Sequence, residues 1–574
     1  MAAQNSVTAI PPAEKTEEES KISIQKSKKS PAFYLSVFWL CLISVITSLD
    51  SVIITAIIPS VARDLPGTTV QLFWCGTGFL LAQTTDQVTI PLYGSFSDIF
   101  GRKWALNFAL IIFTFGSILC ATAKHMQWLV AARAVKGLGA GGNLSLVSVI
   151  ISDITTLQER GSYMSLVSLA WAVGTIAGVP IGGAIGERTT WRWAFWINVP
   201  ICVVSIVGLT MSLRLKSAKT TLREKITRID FPGIFVFVGS TTSFLLGLTT
   251  GGTLRPWGSA SVLVPLIVGV FGWALFIYVE LKYAHEPMIP LRVFHGRTAA
   301  AGDLERNRIG YGAYTSQFLG VTQHGLLQSA VETLPGSAFV APFSIIAGIV
   351  MTKTLRFQKV VWTGWVVMTI GTGLNALLKP HSNGGILYGV RIIMPIGAGL
   401  LFPTTTVAVQ SVQKGEDVGI ATSVQVFARS LGQAFGVALG AVIFQNEFDR
   451  LVTQAVAAGA FTGNSNQNML VHGSQADAAF DIIQTFPENV QEVYRYVYAD
   501  SLRTIWYVLT GLSGFAFLVS LAMRDESLNK DAKGRHQFDH ERGGDAHGEE
   551  DSEQAKEGKE YSKESSASSS RIQG

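Results

Sequence analysis

The sequence predicts an all-α protein that crosses a membrane about thirteen or fourteen times. Three observations predict it. Apolar runs of about 20 residues, each long enough to span a bilayer core, recur along most of the 574-residue chain. Charged residues make up only 15% of it, against about a quarter in soluble proteins, and the mean hydropathy is +0.34. Basic residues gather in alternate loops, as the positive-inside bias requires. The net charge of +5 belongs to those loops and is no footprint for nucleic acid.

The elements follow in order. Residues 1–32 are polar and charged with no early apolar core, which predicts a disordered cytoplasmic tail and no cleavable signal peptide. An N-terminal lobe of six helices is expected over 33–213, from spans at 33–58, 71–93, 104–122, 127–150, 163–185 and 194–213. A basic cytoplasmic loop, 214–230, carries Arg214, Lys216, Lys219, Arg223, Lys225 and Arg228. Two linker helices, 231–250 and 260–281, occupy 231–281. The C-terminal lobe, 282–523, has spans at 334–352, 358–378, 385–408, 419–444 and 503–523. Its acidic segment 446–502 reads as an external loop with a partly helical stretch, and 524–574 as a second disordered cytoplasmic tail.

Thirteen spans leave a fault of parity. With Arg292 and Arg297 inside, Lys353, Arg356 and Lys359 fall outside unless the chain crosses once more. Only 298–328 is available, and it is atypical: Asp303, Glu305, Arg306 and Arg308 precede a stretch broken by Gln317, Gln323 and His324. Each charge at a helix centre would cost about 2.5–3.5 kcal/mol. A weak ninth span, sheltered by its neighbours, is expected there.

The chain also repeats itself. Arg133-x-x-x-x-x-Gly139-x-Gly141 matches Arg391-x-x-x-x-x-Gly397-x-Gly399, and the same offset carries Gly161 to Gly419, Gly174 to Gly432, Gly178 to Gly436 and Gly182 to Gly440. Several matches at one offset predict duplicated halves.

The residues that could carry chemistry lie in five segments. The short turn Gly94-Ser-Phe-Ser-Asp98-Ile-Phe-Gly101-Arg102-Lys103 separates two long apolar runs. Asp98 and Arg102, four apart, meet on one face if the turn is helical, and the glycines allow helix ends to approach closely. Asp50 is a lone acid in the first span. It must pair, face a polar cavity or be protonated, so it either exchanges a proton or ties two helices together. Arg133 is permanently charged, and the residues alone leave it a structural arginine bonding helix-end carbonyls. Gly174, Gly178 and Gly182 form a small-residue stripe with Gly183 beside it, and Pro180 bends that helix. The fifth segment is Trp191-Arg-Trp-Ala-Phe-Trp-Ile-Asn198-Val-Pro200. Gln83, Asn198, Arg391 and Arg429 are cavity-lining or structural candidates. The four cysteines, Cys41, Cys75, Cys120 and Cys202, have no metal-ligand spacing and read as small hydrophobes.

Together with Leu49-Asp50-Ser-Val-Ile-Ile-Thr-Ala-Ile-Ile-Pro59, these segments resemble the signatures of the major facilitator superfamily. Within it they are similar to the fourteen-helix drug:proton antiporters, above all the fungal members. The resemblance covers roughly 35–525 apart from 298–328. It implies a major facilitator fold, two six-helix lobes plus two extra central helices. It also implies that Asp50 and Arg133 take part in proton coupling, and that Gly94, Asp98, Gly101, Arg102 and Lys103 form a cytoplasmic gate. Gly174, Gly178, Pro180, Gly182 and Gly183 would form an antiporter motif in contact with the other half. The second-half counterpart of the gate, around Gly348, Lys353 and Arg356, is degraded, which suggests a single acid-centred latch. Lys136 stands where the family usually has glutamine, and Val179 departs from the Gly-Pro pair of the antiporter motif. The stretch Gln83–Pro91 is about three residues longer than the resemblance implies, turning Asp86 by roughly 300° from register.

The function expected is proton-coupled efflux of an amphipathic organic molecule: a drug, toxin or secondary metabolite. The plasma membrane is the expected address, with the vacuolar membrane as the alternative. The expected partners are that small molecule, protons and the lipid bilayer, with no nucleic acid and no obligate protein partner. No cofactor or metal is implied, and no hydrolase triad or phosphate loop points to an enzyme. Two alternatives stay open: a vacuolar transporter of basic amino acids, and a non-transporting sensor or inactive product of a faulty gene model.

Overall fold

The computed structural model describes residues 29–65, 88–215, 230–251, 255–282, 287–294, 338–415, 417–459, 471, 483, 485–524 and 526–528. Residues 35–539 form one compact unit; 1–34 and 540–574 form a second, whose described part is the start of the first helix. Among the described residues the protein is helical, without a strand, and eleven helices are long and apolar enough to cross a membrane.

The N-terminal half consists of α1 (Pro31–Asp64), α2 (88–100), α3 (Arg102–Ala121), α4 (Met126–Ile154), α5 (Leu157–Arg188), the single turn α6 (Trp193–Trp196) and α7 (Asn198–Ser212). The linker pair is α8 (Phe231–Thr250) and α9 (Ala260–Lys282). The C-terminal half follows a 3₁₀ turn, Leu291–Phe294, with α10 (Val340–Thr354), α11 (Gln358–Leu374), α12 (Gly384–Ser411), α13 (Val418–Ala457) and α14 (Glu488–Ser520). Gln83, Asp86 and the weak ninth span at 298–328 lie outside the described residues.

Local sequence sets the element ends. Gly101 joins α2 to α3 with φ 97°, a conformation open to glycine and strained for side-chain-bearing residues. Asp230 caps α8: its carboxylate accepts from the Gly233 backbone N–H at 3.0 Å, and a proline lies in the first turn, where its missing N–H does no harm. Pro180, Pro265, Pro395 and Pro403 lie inside helices that continue past them, as membrane helices with packed neighbours tolerate.

The segment expected as an external loop with a partly helical stretch, 446–502, is helical at both ends among the described residues. α13 runs on to Ala457 and α14 begins at Glu488. The reason is an aromatic cluster that buries Phe444, Phe448, Tyr494, Tyr498 and Trp506 between the extensions. Acidic residues hid this cluster from a hydropathy reading.

Arg102, Arg214, Arg292, Lys353 and Arg356 mark one end of the bundle, the basic end. Contacts between the halves gather at this end. Ser162 and Thr352 hydroxyls meet at 2.9 Å, the Ser165 hydroxyl donates to the Ser344 carbonyl at 2.7 Å, and Ser145 and Ser423 hydroxyls meet at 2.7 Å.

Candidate functional site

Two buried charge clusters stand out, one deep in the membrane-spanning helices and one at the basic end. The first is built on Asp50 of α1. Its Oδ2 accepts from Arg133 Nη1 of α4 at 3.1 Å. Its Oδ1 accepts from Asn198 Nδ2 of α7 at 3.1 Å and from Lys136 Nζ, one helical turn beyond Arg133. Asp50 is 5% exposed and Lys136 1%. The rings of Phe113 and Phe195 flank the Lys136 ammonium at 4.7 and 5.0 Å.

Small residues bring these helices together. A Cβ on Gly116 of α3 would lie 2.5 Å from the Lys136 Cα, and one on Gly139 of α4 would overlap the Phe113 backbone. α3 and α4 therefore cross at near backbone contact and aim Lys136 at Asp50. On the other side of α1, Cβ positions at Gly174 and Gly178 of α5 point at Val45 and Ser48, and at Leu49 and Val52. The glycine stripe of α5 thus packs against α1 beside Asp50, within the same half. The contact with the other half expected of this stripe lies lower on α5, at Gly161 and Ser165. Gly182 and Gly183 are buried, and Pro180 is exposed.

The second cluster centres on Arg102. It pairs with Asp98 one turn back at 2.5 Å and with Asp153 at the end of α4 at 2.8 Å, and it also donates to Ser97. Its guanidinium is fully enclosed and lies against Gly419 in the first turn of α13, where a Cβ would overlap it. Lys103 is held apart by its bond to the Thr210 carbonyl at 2.7 Å. Gly94 lies against α13 as well: its Cβ would fall 2.5 Å from Ser423 Oγ.

The second half mirrors this packing. A Cβ on Gly348 of α10 would overlap Ser165 Oγ and lie 2.6 Å from the Gly161 carbonyl. Gly161 and Ser165 on α5 correspond to Gly419 and Ser423 on α13 at the repeat offset. The small-residue contact is thus made twice.

The structure thus brings Asp50, Arg133 and Asn198 into one cluster, and Asp98 and Arg102 into another. Arg391 is buried on α12 and Arg429 of α13 stacks over Phe402 at 4.8 Å. Sequence reasoning missed Asp153, although an acid ending an apolar run was a usable signal. It also missed Ser165 and Ser423, despite pairing the glycines four residues before them. A cavity of about 700 Å³ opens elsewhere, at the outer end of the second half, lined by Leu377, His381, Val390, Ile393 and Tyr496 among others.

The comparisons agree with this architecture. The family model of the Major Facilitator Superfamily matches residues 40–436. The chain is 33% identical over 539 residues to MFS transporter L2 of a Phoma species, covering 90% of this chain and 88% of that protein. It is 32% identical to Efflux pump FUS6 of Gibberella moniliformis, covering 92% and 94%, and 30% identical to the MFS-type efflux pump MMF1 of Mycosarcoma maydis, covering 89% and 82%. In fold it is similar to the proton:xylose symporter XylE (TM-score 0.52, 12% identity, 87% of this chain and 98% of that one). The human organic anion transporter MFSD10 gives the same TM-score at 12% identity, covering 86% and 100%. By family profile, relatives and fold, this chain belongs to the Major Facilitator Superfamily and is a multi-span membrane transporter, not an enzyme.

Proposed function

We propose that the protein is a proton-coupled efflux transporter that exports amphipathic organic molecules by alternating access. The observation that carries this reading is the buried carboxylate of Asp50, shared by Arg133, Lys136 and Asn198 deep among membrane-spanning helices. Ionisable groups in such a place are costly and mark functional sites, proton relays among them. The relatives named as efflux pumps support outward transport.

In this reading Asp98, Arg102 and Asp153 lock the basic end while the central cavity faces outward. The paired small-residue contacts at Gly94–Ser423 and Gly348–Ser165 supply the rest of the closure. Proton binding and release at the Asp50 cluster bias the equilibrium between closed and open forms of this end, and a lobe rocks against its partner.

A pump-deficient yeast host expressing the chain at its plasma membrane tests this. Accumulation of a panel of fluorescent lipophilic dyes is compared with and without a protonophore. The expected result is lower accumulation of at least one dye, abolished by the protonophore and by Asp50→Asn at equal surface expression. Accumulation equal to the empty host for every dye would count against efflux. Export that survives the protonophore would count against proton coupling.

A further inference from the structure

We propose that residues 287–294 form a strap that ties the second half to the first at the basic end. Ser95 is the residue it holds and Glu280 the residue that positions it; this rests on the rocking of lobes proposed above. Pro287 and Pro290 keep this stretch out of a helix, since neither has a backbone N–H to donate. The buried amides between them must therefore bond elsewhere. Glu280, near the end of α9, accepts from the Met288 N–H at 2.9 Å. On its other side, the Met288 carbonyl accepts from Ser95 Oγ of α2 at 2.9 Å. One residue of the strap thus bridges a linker helix and a helix of the first half.

The far end of the strap is fastened to the second half. The Val293 carbonyl accepts from Gln413 Nε2 at 2.8 Å, and Arg292 pairs with Asp417 at 2.9 Å. Val293 is fully buried against Val409 and Ala421. The linker pair goes with this half as well. Phe237 and Phe244 of α8 meet Phe427 and Phe435 of α13 at ring separations of 5.4 and 5.3 Å. Among the described residues, the bond from Ser95 is the strap's one hydrogen bond to the first half.

Its position gives that bond a role. Ser95 follows Gly94, whose close approach to Ser423 brings α2 against α13. Leu92 of α2 packs at the edge of the apolar cluster that buries Met288 and Ile289. Separating α2 from α13 must therefore pull Ser95 off Met288. Glu280 acts through Met288: by holding the N–H it fixes the residue, and with it the carbonyl that Ser95 reaches.

Hydrogen–deuterium exchange of the purified full-length protein in detergent tests this without any substrate. Opening of the basic end is read as the exchange rate of peptides covering 88–104 and 418–426. Ser95→Ala and Glu280→Leu are each expected to raise it about 2- to 10-fold, the worth of one hydrogen bond. Glu280→Gln keeps an acceptor for the Met288 N–H and should stay near the wild type. The double variant Ser95→Ala/Glu280→Leu should exchange no faster than the faster single variant, because both act through Met288. A merely structural Glu280 would loosen 287–294 and leave 88–104 unmoved. Ser95→Ala indistinguishable from the wild type would overturn the strap, and so would Glu280→Gln as fast as Glu280→Leu. Either result in a protein that exports dye from yeast overturns the strap alone. Faster exchange in Ser95→Ala with no dye export by the wild type would remove the efflux reading and keep the strap as the closure of this end.

Discussion

Ser423 of α13 fills the space that a side chain on Gly94 of α2 would need: a Cβ there would lie 2.5 Å from its Oγ. Ser165 of α5 does the same for Gly348 of α10, at the matching point of the repeat. The basic end of the transporter is thus closed by close contact between the halves at two places, with the enclosed Asp98–Arg102–Asp153 cluster beside the first.

Gly94→Leu should therefore hold this end open. Overpacking of a tight contact costs about 1–3 kcal/mol, enough to shift a two-state equilibrium about 5- to 150-fold. Labelling of a cysteine introduced at Ser145 by a membrane-permeant thiol reagent should rise, and dye export should fall at unchanged surface expression. Gly348→Leu should do likewise. Unchanged labelling in both would contradict the closure described.

Asp50→Asn should destabilise as well as inactivate. Removing the anion leaves Arg133 and Lys136 buried without it, a loss of about 3–5 kcal/mol for a broken buried pair. Adding Lys136→Gln should recover part of that loss. Thermal unfolding of the purified variants in detergent measures both. A double variant no more stable than Asp50→Asn would contradict the charge argument.

Arg102 holds Asp98 and Asp153 together, so the two acids should not act independently. Asp98→Asn and Asp153→Asn should each destabilise, and the double variant should depart from the sum by about 0.5–3 kcal/mol. Additive losses in a double-mutant cycle would argue that the shared arginine does not couple them.

The glycine stripe of α5 should be graded. A Cβ at Gly174 would overlap Ser48 and the Val45 carbonyl, whereas one at Gly178 meets Leu49 O at 3.1 Å and Val52 Cβ at 3.3 Å. Gly174→Ala should lower the unfolding temperature and displace α1 beside Asp50, with a clear loss of export. Gly178→Ala should be the milder change. The reverse order would contradict the α1–α5 packing.

Much of this was legible in the sequence, for reasons that differ by residue. Asp50, Arg133 and Asn198 announced themselves because polar groups within membrane spans need partners, and the structure makes Arg133 and Asn198 partners of Asp50. The spans were legible because hydropathy reports lipid exposure directly. Lys136 was visible as a second cation in α4, but its shared use of Asp50 depends on the α3–α4 crossing at Gly116. Asp153 lay just past the apolar run of α4, where hydropathy stops reporting. Ser165 and Ser423 were hidden because serine is common in such helices and only contact across the halves distinguishes these two. The helical extensions around Phe448 and Tyr494 were masked by acidic residues on their outer faces.

The most direct test of the account is export driven by a proton gradient alone. The purified chain is reconstituted into proteoliposomes, loaded with a dye that the yeast assay shows to be exported, and given an imposed pH gradient. The account expects dye movement against its own gradient in the wild type, with proton movement in the opposite direction, and neither in Asp50→Asn. Dye flux that is the same with and without the gradient would contradict it.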